Sequence, residues 1–408
     1  MDQKLGYVLI LPAIIFILLF SILPILESTK YAFFDFQLND QQKSGLYFNE
    51  RYNLDLVTET YEYLDYYLDT ELDVVESEDA SEYIGSMRET LGKQLESISG
   101  IFGTNTGIVE VDTATHDALK EMDTKAYSML DELYAKDEPF ILEEDIYAVA
   151  SELDTAYVSP NFAGLDNFET IMSDDRVKSA LMITIIFTVG SVTLELILGL
   201  VLALIMNKAM VGRGMIRTMS LIPWAIPTSV AALIWAYLYN GSNGIVAMLL
   251  AKMGILESSA DLLLSGSSAL TAVVMADVWK TTPYMALLLL AGLQTIPGSL
   301  YEAASIDGAT KWQQFIKVTL PLLKPSIMVA LLFRTLDAFR VFDLIWVLTG
   351  GGPGGKTESI SIYAYKAMFA QTRFGYGSAV VLVMALIVGL ISYAYIKLLD
   401  VKLVSEER

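Results

Sequence analysis

Residues 350–357 read GGGPGGKT and match the phosphate-binding pattern G-x-x-x-x-G-K-[ST]. Such a loop binds phosphate when a strand precedes it and a helix follows, because backbone N–H groups and the helix N-terminus then surround the anion. Here an apolar run of membrane length precedes the loop instead. We therefore interpret the match as a chance product of a flexible, glycine-rich turn.

A second group of reactive side chains lies inside apolar sequence. Asp277, Lys280, Thr281 and Tyr284 fall within the segment DVWKTTPY. Asp277 and Lys280 are three residues apart, so on a helix they can neutralise each other, or they can line a polar path. The spacing leaves both interpretations open.

Charges of alternating sign follow in FRTLDAFRVFDLIW, where Arg334, Asp337, Arg340 and Asp343 recur at every third position. A stripe of this kind can be satisfied by packing or can face a water-filled cavity, and we favour the cavity for Asp337 and Arg340. Glu195 is an isolated acid in VTLELILGL, for which we expect a partner on another helix.

Composition excludes several kinds of chemistry. The 408 residues include no Cys and one His, His116, which excludes disulfides and thiolate metal sites and leaves little for imidazole chemistry. No run matches a calcium loop, and nothing resembles a nucleophile placed beside its base. The excess of 48 acidic over 27 basic residues argues against nucleic-acid binding. We predict no catalytic residue, no metal site and no cofactor bound by this chain.

The elements that carry these residues are apolar runs. A bilayer crossing takes about 20 apolar residues, and six runs qualify, at residues 5–26, 177–206, 216–239, 268–293, 325–348 and 377–399. The first is too long for a signal peptide and lacks a cleavage site, so we interpret it as an uncleaved anchor. Trp224 and Trp235, in the third, are expected to be interfacial or packing aromatics.

Charge predicts the orientation of these runs. Residues 31–176 carry 34 acidic and 8 basic side chains. Cytoplasmic loops are enriched in Lys and Arg, so the basic loops and both termini are predicted to be cytoplasmic and the acidic block to be outside. The basic residues assigned to the inner side are Lys4, Lys208, Arg213, Arg217, Lys311, Lys317, Lys324, Lys397, Lys402 and Arg408.

The acidic block is too long and too aromatic to be a tether. Apolar residues at helical spacing in SEYIGSMRETLGKQLESIS and HDALKEMDTKAYSMLDELYAK predict several amphipathic helices packed on each other. We predict four parts: a first transmembrane helix at 1–35, an acidic extracytoplasmic helical insertion at 36–175, a five-helix membrane core at 176–400 and a cytoplasmic tail at 401–408. Docking a partner, guarding the entrance and bracing the spans all remain open as roles of the insertion.

The core contains a polar cytoplasmic loop at residues 296–324. Two capping-box patterns, S-x-x-E from Ser299 and T-x-x-Q from Thr310, lie on either side of Gly308. They predict two short helices with a sharp turn between them, the second stopped by Pro321. Such a pair can insert into a groove of a soluble partner or can be an ordinary loop.

Within this loop, EAASIDGATKWQQFIKVTLP resembles the motif of the membrane subunits of bacterial binding-protein-dependent ABC importers. The Glu-Ala-Ala triplet, the glycine four residues after the last Ala and the final Leu-Pro have the spacing of that motif; Val318 stands where Ile is usual. The segments NFAGLDNFETI, LIPWAIPTSVAALIW, LQTIP and LTGGGP are similar to the carbohydrate branch, particularly to the larger permease subunit of maltose-type importers. The resemblance covers about residues 5–34 and 161–399.

This resemblance implies an all-α membrane protein with six transmembrane helices of the type I ABC importer architecture, in a bacterial cytoplasmic (inner) membrane. By analogy, Glu302, Ala303, Ala304 and Gly308 couple the chain to a separate ATPase that uses ATP and Mg. The implied partners are a second homologous permease subunit, two ATPase subunits and an extracytoplasmic solute-binding protein.

The resemblance also implies a sugar path, because DVWKTTPY coincides with the segment that lines the sugar cavity in maltose-type permeases. The family commonly has an uncharged amide where Asp277 stands, so the ligand can differ. The predicted cargo is an oligosaccharide or a disaccharide. The predicted substrate pathway consists of Asp277, Lys280, Thr281, Tyr284, Asp337 and Arg340.

Two alternatives come from other classes of protein. An ion-coupled secondary transporter often shows internal repeats, and none is visible here. A membrane sensor is compatible with a span, an outer helical domain and a second span, but it leaves four further spans unexplained.

Overall fold

The structure of the chain, a computed structural model, describes residues 2–208 and 212–403. It divides into two compact units, Met1–Leu165 with Thr372–Gly375 and Asp166–Gln371 with Tyr376–Arg408. Arg408, one of the residues used to predict orientation, lies outside the described residues, as do the side chains of Lys4, Arg213 and Lys402. The four-part division of the chain stays a prediction.

The first unit is mainly helical. Its helices are α1 (Asp2–Ile17), α2 (Leu23–Tyr31), α3 (Leu54–Leu72), α4 (Glu78–Phe102), α5 (Thr113–Tyr134), α6 (Glu143–Ala150) and α7 (Glu152–Thr155), with a 3-10 turn at Gln41–Lys43. Three strands, β1 (Arg51–Asn53), β2 (Ile108–Glu110) and β3 (Tyr157–Val158), form an antiparallel sheet in the order β2-β1-β3. Strands this short show no alternation in the sequence, so the sheet was not predicted.

The amphipathic helices predicted in the acidic block are present as α4 and α5. The side chains of Ser77 and Asp112 accept hydrogen bonds from first-turn N–H groups and so begin the two helices. Ile84, Met87 and Leu91 recur at helical spacing on α4 and are buried in a core shared with α3, α5 and α6. The block is thus a folded helical unit with its own core.

The second unit is built from helices. They are α8 (Asp166–Ser173), α9 (Asp175–Asn207), α10 (Arg213–Ala225), α11 (Thr228–Leu238), α12 (Ile245–Lys252), α13 (Asp261–Leu264), α14 (Gly266–Leu293), α15 (Gly298–Ile306), α16 (Lys311–Gln314), α17 (Leu320–Phe339), α18 (Asp343–Thr349), α19 (Ile360–Tyr365) and α20 (Phe374–Leu403). Turns of π-helix lie at Phe315–Thr319 and Lys366–Ala370.

Among the described residues, five helices are long and apolar enough to cross a membrane: Ile10–Tyr31, Asp175–Asn207, Gly266–Leu293, Lys311–Phe339 and Phe374–Leu398. A sixth crossing exists only if Gly214–Ala225 and Thr228–Leu238 count as one span, because the chain bends by 90° between them. Pro223 and Pro227 lie at this bend, and proline interrupts helical hydrogen bonding. The third span predicted at 216–239 is therefore present only as a bent pair of helices, and the count of six spans stays a prediction.

Pro321 does not stop the second helix of the loop, contrary to the prediction. The helical path Lys311–Phe339 continues through it. A π turn at Phe315–Thr319 precedes Pro321, and another at Leu18–Ile22 precedes Pro24 in the first apolar helix. A π turn widens the helix by one residue, which relieves the clash between the proline ring and the preceding carbonyl.

The fifth span, predicted at residues 325–348, is placed differently in the structure. The helix ends at Phe339, Arg340 is its C-cap, and α18 begins at Asp343. Since the helix already begins at Lys311, its 29 residues reach about 43 Å at 1.5 Å per residue, which is enough to cross. The predicted stripe of four charges on one helix is wrong, because Arg340 and Asp343 lie beyond its end.

The core of the second unit is formed by α9, α14 and α17, and two glycines allow these helices to pack closely. A Cβ atom at Gly199 of α9 would lie 2.7 Å from Met285 Cγ of α14. One at Gly292 of α14 would lie 2.2 Å from Ser326 Oγ of α17. Small residues at such contacts are typical of membrane helices, and here they bring the polar side chains of three helices together.

Candidate functional site

Arg334 on α17 is the centre of a buried ion-pair cluster that joins three helices. Its side chain is 1% exposed, and it donates to Glu195 on α9 through Nε (2.5 Å to Oε2) and Nη2 (2.9 Å to Oε1). Nη2 also donates to Asp277 Oδ2 on α14 at 2.6 Å, and Nη1 donates to Asp337 Oδ2 at 2.8 Å. The hydroxyl of Thr281 donates to Glu195 Oε1 at 2.7 Å. The forked guanidinium can satisfy several carboxylates at once, which an ammonium cannot do.

This cluster decides two of the sequence-based expectations. The interhelical partner expected for Glu195 is confirmed, and it is Arg334. Of the interpretations left open for Asp277, an ion pair with Lys280 is not observed among the described residues, where Asp277 pairs with Arg334. Lys280 is 8% exposed and forms no hydrogen bond or ion pair with any residue that the structure describes.

Asp337 and Arg340 do not pair with each other either. Asp337 pairs with Arg334, one turn earlier on the same helix. Arg340 Nε donates to the carbonyl of Leu336 at 3.0 Å. The rest of the Arg340 guanidinium is exposed beyond the end of the helix.

A cavity of about 180 Å³ adjoins the cluster and brings most of the predicted pathway residues together. Tyr284 is not part of its wall; it stacks on Trp224 with ring centroids 5.5 Å apart, and Trp224 does line the cavity. The predicted residues in the wall are Asp277, Lys280, Thr281, Asp337 and Arg340. That they contact a substrate stays a prediction.

Trp224, Thr228 and Phe342 also line the cavity and were missed as site residues. Trp224 and Thr228 flank the bend between α10 and α11, and Phe342 lies in the gap between α17 and α18. The available signal was the pair of prolines in LIPWAIP, because irregular backbone at membrane depth is tolerated where it lines a cavity. Trp235 instead packs on Trp279, with centroids 5.5 Å apart, as expected.

The loop at residues 296–324 exposes the motif that carries the resemblance. Glu302 and Ala303 on α15 are exposed, and Ala304 is half-buried. Gly308 follows with φ at 78°, in the left-handed region that favours glycine. The sharp turn predicted at Gly308 is confirmed.

The two capping boxes predicted in this loop differ in outcome. Thr310 and Gln313 form the second one: Gln313 N donates to Thr310 Oγ1 (3.3 Å) and Thr310 N donates to Gln313 Oε1 (2.8 Å). The first is wrong, because α15 begins at Gly298 with Pro297 as its N-cap. Proline has a fixed φ suited to a helix start, so the helix begins before Ser299.

Two large apolar side chains project from this loop. Ile306 is 86% exposed and Trp312 is 68% exposed. The turn between them is braced, since Gln314 Nε2 donates to Ser305 Oγ at 2.8 Å. The braced turn thus holds two large apolar side chains exposed on one loop.

The glycine-rich stretch at residues 350–357 follows helix α18 and not a strand. The Thr357 hydroxyl, which a phosphate loop would use for a magnesium ion, is fully buried and donates to the carbonyl of Gly352 at 2.5 Å. This geometry agrees with the interpretation of the stretch as a turn.

Residues 195–405 match the family described as "Binding-protein-dependent transport system inner membrane component". The chain belongs to this family. It is 48% identical over 236 residues to the trehalose/maltose transport system permease protein MalF of Thermococcus litoralis, covering 58% of this chain and 79% of that protein. It is 46% identical over 250 residues to the trehalose transport system permease protein SugA of Mycobacterium tuberculosis, covering 61% of this chain and 77% of that protein. The predicted resemblance to importer permeases of the carbohydrate branch is confirmed.

Solved structures of similar fold agree with this assignment. The crystal structure of a bacterial alginate ABC transporter, in complex with an alginate pentasaccharide-bound periplasmic protein, has 25% identity and a TM-score of 0.51, covering 57% of this chain and 81% of that chain. A crystal structure of a bacterial ABC transporter that imports the acidic polysaccharide alginate has a TM-score of 0.53 at 24% identity, covering 58% of this chain and 83% of that chain. The sensor and the ion-coupled transporter are not favoured by these similarities.

Proposed function

We propose that this chain forms half of the transmembrane pathway of an ABC importer for a disaccharide or short oligosaccharide. As a member of the inner-membrane component family it is a transport permease, and we propose that it has no catalytic step of its own. The relatives that transport trehalose or maltose support a sugar as the cargo. In this proposal both termini and the loop at 296–324 lie in the cytoplasm and the acidic helical domain lies outside, as the distribution of Lys and Arg predicts.

The proposed assembly adds a second homologous permease, two ATPase subunits that use ATP and Mg, and an extracytoplasmic solute-binding protein. One of the two ATPases would dock on Glu302, Ala303, Ala304 and Gly308 of this chain, with Ile306 and Trp312 as apolar contacts. The alginate transporter structure, solved with its periplasmic protein, supports a binding protein as one partner.

The observation that carries the proposal is the continuous helix Lys311–Phe339. Trp312, in its first turn, lies beside the exposed turn of the loop, and Arg334 in the buried cluster is roughly 33 Å further along the helix axis. Arg334 holds Glu195 on α9 and Asp277 on α14. A displacement of the loop by a docked ATPase would therefore move the helices that line the cavity together.

The cavity suits an uncharged ligand with many hydroxyl groups. Its acidic and basic wall residues are equal in number: Asp277, Asp337 and Asp343 against Lys280, Arg334 and Arg340. The ammonium of Lys280 can donate hydrogen bonds to hydroxyl oxygens, and Trp224, which stacks on Tyr284, offers an aromatic surface to a sugar ring. The second permease would complete the site.

Docking is tested with Gly308→Pro in the chain, tagged and purified with its partners from its native membrane. We expect the wild type to retain an ATPase and a second permease, and the variant to lose the ATPase. Gly254→Pro is a matched control, because Gly254 also has a positive φ (74°), open space around it and an N–H bond to a carbonyl three residues back. Purification of the wild type alone, or equal loss in both variants, would contradict the proposal.

The role of Lys280 is tested by sugar uptake into vesicles that contain the whole assembly. Lys280→Met should raise the KM for uptake about tenfold, which corresponds to one hydrogen bond from a charged donor. Lys252→Met, at an exposed lysine on α12, should leave the KM unchanged. An unchanged KM in Lys280→Met would remove this residue from the pathway.

A further inference from the structure

A groove of about 850 Å³ lies on the second unit, between α11, α12, α13 and the start of α14. Its α14 wall comes from residues 267–275, close to the beginning of the helix. It is therefore at the end of α14 opposite to the loop at 296–324. None of the charged residues around Arg334 lines this groove.

The wall of the groove changes from apolar to polar along α14. Met275 and Ala272 line its deeper part, towards the middle of the helix, and Thr271 follows. Ser268 and Ser267 line the part nearest the helix start. Ser267 and Met275 are about 12 Å apart along the axis. The groove thus has the polarity profile of an amphiphile whose tail points towards the middle of the membrane.

The walls of the groove that face α14 also change from apolar to polar residues. Trp235 on α11 and Leu250 on α12 form an apolar surface. At the polar end, Ser268 Oγ donates to the carbonyl of Asp261 at 2.7 Å, which places Asp261 beside the start of α14. An apolar wall on both sides fits an acyl chain, and a polar end at the end of a membrane-length helix fits a headgroup.

The charge at the polar end is negative. Asp261 lies there beside Ser268, Glu257 is a second acid in the lining of the same groove, and no Lys or Arg is among the described residues of the wall. Glu257 is exposed and forms no ion pair or hydrogen bond with any residue in the described ranges, and Asp261 Oδ2 accepts only from Ser258 N at 2.8 Å. Basic sites select anionic headgroups, and by the same electrostatics an acidic one selects a cationic group.

We propose that this groove binds a phospholipid whose headgroup carries a primary ammonium. The acyl chain lies along Trp235, Leu250 and Met275, and the ammonium donates to the carboxylates of Glu257 and Asp261. A primary ammonium provides three N–H donors, whereas the quaternary ammonium of phosphatidylcholine provides none. The proposal is independent of the sugar-transport function, because it rests on a different part of the unit.

The test is native mass spectrometry of the full-length chain in its purified assembly, after exchange into equal amounts of phosphatidylethanolamine, phosphatidylglycerol and phosphatidylcholine. We expect phosphatidylethanolamine to be retained about three- to fivefold more than either other lipid. This is the ratio of affinities that one exposed ion pair provides. Glu257→Lys should reverse the preference towards phosphatidylglycerol. Glu169→Lys, at an exposed position on α8, should leave it unchanged.

A second variant tests the apolar part of the groove, where the acyl chain would bind, without changing any charged residue. Met275→Trp adds bulk at a side chain that is 48% exposed, so it should fill the groove and lower retention of every lipid at an unchanged unfolding temperature. Equal retention of the three lipids by the wild type would overturn the proposal, as would retention that neither Glu257→Lys nor Met275→Trp alters. A cross-link from Ser267→Cys to a second subunit would also overturn it, because protein would then cover the groove.

Discussion

Glu195 in the second unit and Asp123 in the first are both buried carboxylates, but their partners differ. Glu195 is fully buried and accepts two hydrogen bonds from the guanidinium of Arg334. Asp123 is 4% exposed and accepts from the hydroxyl of Tyr157, while its Oδ1 atom has no partner among the described residues. One carboxylate is held by a cation and the other by a phenol.

Because their partners differ, the two buried carboxylates affect the stability of the protein in different ways. A cation offsets the cost of burying a charge, whereas a phenol provides only one hydrogen bond. Burial accordingly raises the pKa of Asp123 to about 6; the hydrogen bond from Tyr157 opposes this rise and the charge of Asp154 adds to it. The cluster around Arg334 fixes three helices, whereas Asp123 makes the stability of the helical domain depend on pH.

The largest expected effect follows from removing the cation. Arg334→Met leaves the buried carboxylates of Glu195 and Asp277 without the cation that pairs with them, so the free energy of unfolding should fall by about 3–5 kcal/mol. The measurement is the unfolding midpoint of the purified chain in detergent. Combining Arg334→Met with Glu195→Gln and Asp277→Asn removes the unpaired charges and should recover most of the loss. If Arg334→Met alone is as stable as the wild type, the cluster does not hold the helices together.

The next effect concerns Asp123, whose folded pKa of about 6 lies above the ordinary value of 3.8. Between these values the folded state keeps a proton that the unfolded state has released, so stability falls as pH rises through this window, by about 3 kcal/mol in total. Asp123→Asn carries no titrating group and should remove this slope. Hydrogen exchange of α5 amides in the full chain at pH 4.5 and pH 7.5, corrected for intrinsic rates, measures it.

Asp117 provides the control for this substitution. It lies on the same helix, its side chain is 74% exposed, and Asp117→Asn should keep the wild-type slope. If the stability of Asp123→Asn also falls with rising pH, another group causes the pH dependence. The difference in partners between Asp123 and Glu195 would then not explain it.

The sequence could predict features that depend on local spacing. The periodicity of the acidic block predicted α4 and α5, and the motif around Glu302 located the exposed loop and its turn at Gly308. DVWKTTPY located three residues of the cavity wall, Asp277, Lys280 and Thr281. In each case the signal lies within one element, where residue spacing determines which side chains share a face.

The sequence could not predict partners that come from distant elements. Arg334 lies 139 residues from Glu195 and 57 from Asp277, so spacing within one helix suggested Lys280 as the partner of Asp277 instead. The environment of Asp123 depends likewise on the pairing of strands too short to recognise. The end of α17 was missed because apolar content continues past Phe339, although the helix is already long enough to cross.

Glu358 is a third buried carboxylate, and it pairs with two cations, Arg176 and Lys366, that are more exposed than Arg334. We therefore expect a smaller effect on stability when one of these cations is removed. Burial opposes its ionisation, but hydrogen bonds from Arg176 (2.8 Å) and Lys366 (2.9 Å) hold the pKa of Glu358 below its ordinary value of 4.5. A lowered pKa means that this contribution to stability is present above pH 4.5 and is lost as the pH falls below it.

Arg176→Met should therefore cost about 1 kcal/mol at pH 7, because the Arg176 side chain is 49% exposed and Lys366 still pairs with Glu358. The cost should shrink at pH 3.5, where protonation removes the charge of Glu358, and unfolding midpoints at the two pH values measure it. Lys178→Met, which breaks an exposed pair with Asp175, should have no effect. A loss at Arg176 as large as that at Arg334 would mean that exposure of the cation does not govern the strength of these pairs.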